Sequence, residues 1–171
     1  SKFAYSTEAG SAAPHIPVLC SEALAYLNPR PGQSFIDMTF GAGGHTQQLL
    51  NSHKDITVYA LDRDPVAQEL ATEMSKNYEG RLVPLLGKFS DLPQLLSSHE
   101  VKRRSLDGIL FDFGCSSMQF DEAERGFSLS KNGPLDMRMN KNNSDQITAA
   151  DVLARAEELD LVRILRVYGE E

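Results

Sequence analysis

Cysteine is scarce: Cys20 and Cys115 are the only two in 171 residues, and they stand far apart. A disulfide scaffold or a structural zinc site needs more sulfur at closer spacing, so neither is expected, and a reducing compartment is the default. No apolar run approaches the roughly 20 residues that a bilayer-spanning helix requires, and a membrane role is not expected. Basic charge is also in short supply, with 17 Lys and Arg against 24 Asp and Glu. The resulting net charge of −7 suits nucleic-acid phosphates badly. Lys102, Arg103 and Arg104 in "VKRRS" are the nearest thing to a basic patch. They read as a solvated loop, so an RNA substrate would need much of its binding surface from elsewhere. Internal repeats, low-complexity tracts and His/Cys clusters are missing too, and no metal is called for.

What is present fits one compact domain with a real core: 41% of the residues are hydrophobic, amid mixed charges. The first 14 residues are small, polar and unpatterned, and a mobile leader is expected there. The chain begins at Ser1 without methionine and stops inside a helical pattern at "RILRVYGEE", so both ends are expected to be cut.

Between those ends strands alternate with helices. "SEALAYL" predicts a helix capped by Ser21, and "QSFIDM" a short strand followed by a helix that opens on glycine. "TVYALD" predicts a second strand, and "PVAQELATEMSKNY" a helix with Pro65 in its first turn. "RLVPLL" reads as a short third strand, because Pro84 cannot donate to a ladder. "SDLPQLLSS" follows as a short helix capped by Ser90. "LDGILFDF", apolar on both faces, has the pattern of a central parallel strand. Four such alternations argue for an α/β fold with a parallel sheet and flanking helices. Residues 114–146 lose the period, and a connection that long is expected to be an ordered functional loop. Phe120, Phe127, Leu129, Leu135, Met137 and Met139 should then be buried. A helical period returns over residues 147–171.

In open parallel sheets ligands bind beyond the carboxyl ends of the strands. Asp37, Asp62 and Asp112 fall at or near three such ends, and the first is followed by "GAGGH". A lone Asp there is most often a cap; three in series with a glycine turn suggest a site. Asp62 lies about twenty residues after the turn, the spacing of a carboxylate that takes ribose hydroxyls. The turn lacks the third glycine of a dinucleotide site. A pyrophosphate near Asp37 would meet like charge, at roughly 4 kcal/mol for 4 Å in a surface-type dielectric. A ligand with an ammonium and a sulfonium feels the opposite sign, and its carboxylate suits a helix N-terminus. S-adenosylmethionine carries all of these groups. A dinucleotide-dependent oxidoreductase is the weaker alternative.

The stretches "HIPVL", "DMTFGAGGHT", "YALDRDP", "DGILFDFGCSSMQFDEAERGFS", "GPLDMRMN" and "YGEE" together resemble the MraW/RsmH family. These are methyltransferases of cytosine N4 in small-subunit ribosomal RNA. The resemblance implies a Rossmann-like methyltransferase domain over residues 15–146, interrupted by a helical substrate domain that starts within 147–171. It implies a chain whose sheet edge and helical face stay uncovered, with a homo-oligomer as one way to cover them. Gly43, Gly44 and His45 would hold the methionine part of S-adenosylmethionine and Asp62 the ribose. Phe89 would lie beside the adenine, with Asp112 and Gln119 lining the far side. For catalysis, Asp112 is the expected acceptor beside the cytosine amine, and Ser116 and Ser117 are candidates to hold the base. For each serine, turn capping is an equally good reading. Asp136 and Arg138 are expected to form a structural ion pair. Cys115, Met118 and Asn140 depart from the bacterial pattern of valine, proline and aspartate. "GCSSMQ" is more similar to animal mitochondrial members, which implies the mitochondrial matrix, with the cytoplasm as alternative. A cofactor-binding piece without turnover is the rival reading of the chain as it stands.

Overall fold

The computed structural model describes residues 17–140 and 146–170. The expected leader, His15 and Ile16, residues 141–145 and Glu171 lie outside them.

Four parallel strands form one sheet in the order β3-β2-β1-β4. They are β1 (Ser34–Asp37), β2 (Thr57–Asp62), β3 (Leu82–Leu86) and β4 (Gly108–Leu110). The register pairs Ile36 with Tyr59 on one side and with Ile109 on the other. Helices α1 (Cys20–Leu27), α2 (Gly44–Ser52), α3 (Pro65–Ser75) and α4 (Leu92–Ser98) connect or flank them. Alternation along the strands splits the core in two. Phe35, Val58, Ala60 and Leu82 pack with Leu24 and Leu27 of α1, Leu49 and Leu50 of α2, and Ala67 and Ala71 of α3. Ile36, Met38, Leu61 and Leu85 face the opposite side, against Leu92, Leu95 and Leu96 of α4. Burial of these side chains, about 1.5–3 kcal/mol for each of the larger ones, drives the assembly.

Local chemistry explains the ends of the elements. Asp64 caps α3, its carboxylate accepting from the Val66 amide at 3.1 Å, with Pro65 in the first turn. Pro84 is tolerated because β3 pairs only with β2, so the missing donor falls on an edge. Two predicted caps are wrong. Helix α1 starts at Cys20, and the Ser21 hydroxyl donates to Glu22 instead of capping. Ser90 sits inside a 3-10 turn, Phe89–Asp91, and its hydroxyl donates to Asp91. In both places a neighbouring carboxylate is a stronger acceptor than the serine is a cap.

Strand β4 was expected to be central, and it is an edge of the described sheet. Ile109, Phe111 and Phe113 are 52%, 44% and 73% exposed, because α4 alone does not reach across that face. The apolar pattern is right and its cover is not among the described residues. The long loop carries α5 (Ser117–Asp121) and a 3-10 turn, Ala123–Arg125. Its expected burial fails for Phe120, Leu129, Leu135 and Met137, all exposed. Polar contacts hold the loop instead. Arg138 grips Asp136 through Nε and Nη2 at 2.9 and 2.6 Å, the expected structural pair, and these bonds hold the Asp136 carboxyl below the usual range. The helical stretch that follows is a pair, α6 (Ala149–Arg155) and α7 (Glu158–Tyr168). Thr148 and Asp151 cap α6 reciprocally, and α7 exposes Leu159, Val162, Leu165 and Val167.

Candidate active site

The carboxyl ends of the strands bring the predicted residues to one edge of the sheet. Beyond β1 the chain turns through Thr39 and Gly41 into α2, whose N-cap is Gly43 in the left-handed conformation, φ 82°. A Cβ on Gly43 would meet the Phe40 ring at 2.6 Å and Met74 at 2.7 Å, and one on Gly44 would meet Pro17 at 2.1 Å. These glycines therefore make room first for the protein's own side chains. What they leave for a ligand is backbone: an N-cap without a side chain leaves the first amides of α2 open to an anion. His45 follows in the first turn, with Nε2 3.6 Å from the Asp112 carboxylate.

The three strand-end acids differ sharply. Asp37 is 1% exposed and accepts from the Thr46 hydroxyl at 2.8 Å and the Thr39 amide at 3.1 Å. Burial raises its pKa above the usual carboxylate range, against those two bonds. Asp37, read from the sequence as a negative charge that would repel a pyrophosphate and suit a cationic ligand, is instead buried and ties β1 to α2. Asp62 is half-buried and also raised by burial; it accepts from the Gly41 amide at 2.8 Å and the Asp64 amide at 2.9 Å, one at each oxygen. A carboxylate offers about four acceptor sites, so capacity remains beyond these bonds for a ribose hydroxyl. Asp112 is open: its side chain is 52% exposed, and its amide donates to Thr39 Oγ1 at 2.7 Å. That bond sets the residue beside the glycine turn.

The native state holds the Asp37 proton more tightly than the unfolded chain does. Its stabilising contribution is complete below the unfolded pKa of about 3.9 and is lost as pH rises through the raised native value. Asp37→Asn keeps an acceptor for the Thr39 amide and a donor for Thr46. The variant should lose less stability than the parent as pH rises from 4 to 7, read as urea midpoints. Asp62 titrates in the same direction, so the slope shrinks without vanishing. Parallel slopes for the two proteins would refute the assignment.

Phe89 is 49% exposed and lies outside the core. Its ring meets Phe111 edge-on at 5.6 Å and Phe113 at 6.1 Å. Ser116 is the N-cap of α5: Oγ accepts from the Gln119 amide at 3.3 Å, and Gln119 Oε1 accepts from the Ser116 amide at 3.0 Å. The capping reading therefore holds for Ser116. Ser117, next in the helix, is half-buried. Gln119, expected on the pocket wall, is 4% exposed and donates through Nε2 to Asp64 at 3.0 Å. Lys102–Arg104 precede β4, at the end of the sheet opposite Asp112, so they do not flank this site.

Sequence reading passed over Arg125 and Asp64. Their side chains are 2% and 3% exposed and form an ion pair at 2.7 Å. The only sequence signal was an acid before Pro65, which announces a helix cap and says nothing of a partner 61 residues away.

A family model described as the MraW methylase family matches residues 12–171. A probable methyltransferase-like protein 15 homolog of Drosophila melanogaster is 63% identical over 161 residues, covering 93% of this chain and 45% of that protein. The human 12S rRNA N(4)-cytidine methyltransferase METTL15 is 51% identical over 158 residues, 92% of this chain and 39% of its own length. Ribosomal RNA small subunit methyltransferase H of Parvibaculum lavamentivorans is 46% identical over 161 residues, 94% of this chain and 46% of its own length. The chain thus spans less than half the length of these relatives. With the family model matching nearly all of it, this chain belongs to the MraW methylase family.

Proposed function

We propose that these residues form the methyl-donor site and the proton acceptor of an S-adenosylmethionine-dependent methyltransferase acting on N4 of a cytidine in small-subunit ribosomal RNA. The observation that carries this is the open carboxylate of Asp112 beside the glycine turn and the first turn of α2, with Asp62 at the neighbouring strand end. The printed names of the human and bacterial relatives support the substrate. The name 12S points to the mitochondrial matrix, since that RNA belongs to the small mitochondrial ribosomal subunit of animals.

The residues fit the cofactor by their chemistry. Asp62 has acceptor capacity left for a ribose hydroxyl, the α2 N-terminus offers amides to a carboxylate, and Phe89 presents a half-exposed ring to an adenine. Gly43, Gly44 and His45 line the methionine end in this reading, and Gln119 supports the far wall. When bound, S-adenosylmethionine supplies a methyl group already activated by its sulfonium. The protein's task is then positional, and holding the reacting atoms in line is worth several kcal/mol. The cytosine amine is a weak nucleophile whose lone pair is delocalised into the ring, and the base must be single-stranded or flipped to reach the site. Asp112 accepts an amine hydrogen, orients the lone pair and takes the proton released on transfer. Ser117, one residue after the loop cap, is the candidate to hold the base in this reading.

Calorimetry with S-adenosylhomocysteine and with a nicotinamide dinucleotide tests this directly. The homocysteine compound should bind and the dinucleotide should give no heat; the reverse would overturn the proposal. Labelled methyl transfer to a small-subunit rRNA hairpin, by these residues and by a full-length member of the family, separates an enzyme from a chain that only binds.

A further inference from the structure

The long loop and the Asp62 strand end are joined at one buried point. Asp64 Oδ2 accepts from Arg125 Nη1 at 2.7 Å and from Gln119 Nε2 at 3.0 Å. The same guanidinium turns its Nη2 to the carbonyl oxygens of Arg138 and Met139, at 3.2 and 3.0 Å. The Arg125 carbonyl accepts from the Met137 amide at 2.9 Å. Arg125, 2% exposed, thereby fastens the far limb of the loop to the start of α3, and Gln119 of α5 meets it at the same Asp64 oxygen. The Asp64 amide in turn donates to Asp62 Oδ1 at 2.9 Å. Whatever moves Asp64 moves the carboxylate assigned to the ribose.

A buried charge pair is costly to desolvate and is weak evidence for stability. The planar fork of arginine matches this one-to-three arrangement, and lysine cannot span it. Solvated or apolar contacts would hold a loop without fixing its register to a helix cap. We propose that Arg125 is a positioning residue: through Asp64 and Gln119 it sets Asp62 and the Ser116–Ser117 limb at the geometry the methyl donor requires. This rests on the methyl-donor reading above.

The test uses the full natural chain. Arg125→Gln should raise the KM for S-adenosylmethionine and the Kd for S-adenosylhomocysteine about tenfold, with kcat within threefold of the parent. A purely structural strut would lower the amount of active enzyme, and so kcat, and leave KM in place. Hydrogen exchange at the Phe120 and Met137 amides should accelerate, while Ile36 and Val58 in β1 and β2 stay protected. Arg125→Lys, which keeps one charged contact with Asp64, should fall between. If Arg125→Gln does not fold, the neutral pair Asp64→Asn with Arg125→Gln leaves no unpaired buried charge and should show the same rise in KM. Parental KM despite a loosened loop, or exchange that rises equally in β1 and β2, would overturn the role. If the parent itself ignores S-adenosylhomocysteine, the methyl-donor reading fails and the positioning role fails with it. If the parent binds and the variant binds equally well, only the positioning role fails.

Discussion

Asp112→Ala, in the full natural chain, is expected to lower kcat for methyl transfer by about 10²–10⁴, the range that a positioned proton acceptor contributes. Binding of S-adenosylhomocysteine should weaken no more than a few fold. The reasons are geometric. Asp112 is fixed by its backbone, through the amide that donates to Thr39 Oγ1, so truncating the side chain leaves the turn in place. The carboxylate itself is half-exposed and meets His45 Nε2 at 3.6 Å, so its loss costs little packing. Asp112→Asn divides the role. An amide oxygen still accepts a hydrogen from the cytosine amine, and it cannot take the proton. If orientation alone matters, Asn should recover most of the activity. If proton acceptance matters, Asn should be nearly as poor as Ala. Single-turnover rates with excess methyl donor are the measurement, since they exclude product release. Parental rates in both variants would remove Asp112 from the chemistry.

Asp62→Ala should weaken S-adenosylhomocysteine by about 30-fold or more, read by calorimetry. Hydrogen bonds to a charged group contribute about 1.5–3 kcal/mol each, and loss of even one to a ribose hydroxyl reaches this range. The substitution also strips the Gly41 and Asp64 amides of their acceptor, loosening the turn and the α3 cap together. Asn is not a mild replacement here. Both carboxylate oxygens receive an amide hydrogen, so an Asn in either orientation turns its NH₂ toward one of those donors. Asp62→Asn should therefore approach Ala in affinity. Near-parental binding by Asn would mean that the ribose contact, and the double acceptance with it, is not what this carboxylate provides.

Much of this arrangement is legible in the amino acids. The alternation of apolar strands with helices follows from periodicity, and all four strands fall where the pattern puts them. The glycine turn and the three strand-end acids are legible as a group at one end of the parallel strands, although capping and packing account for part of them. The Asp136–Arg138 pair is readable because two residues suffice to define it. Other features are not local. Ser116 caps a helix only because Gln119 folds back on it, and "GCSSMQ" looks the same whether its serines hold a base or a turn. Exposed Phe120, Leu129 and Met137 in the loop could not be foreseen, because burial was inferred from residue type while polar bonds hold the segment.

The succession of strands and helices and the family motifs are properties of the residues in line, for they depend on period, turn propensity and residue type, whereas the place of β4 at an edge of the described sheet is not. How each carboxylate is placed was decided in three dimensions. Asp37, Asp62 and Asp112 read alike along the chain, yet packing of α2 buries the first, two backbone amides engage the second, and only the third stands open beside the turn. The dielectric around a charge and the donors that meet it come from distant segments brought into contact, and no stretch of sequence contains both partners. Arg125 and Asp64 make the same point: a guanidinium and a carboxylate become a joint only when the fold removes water from between them.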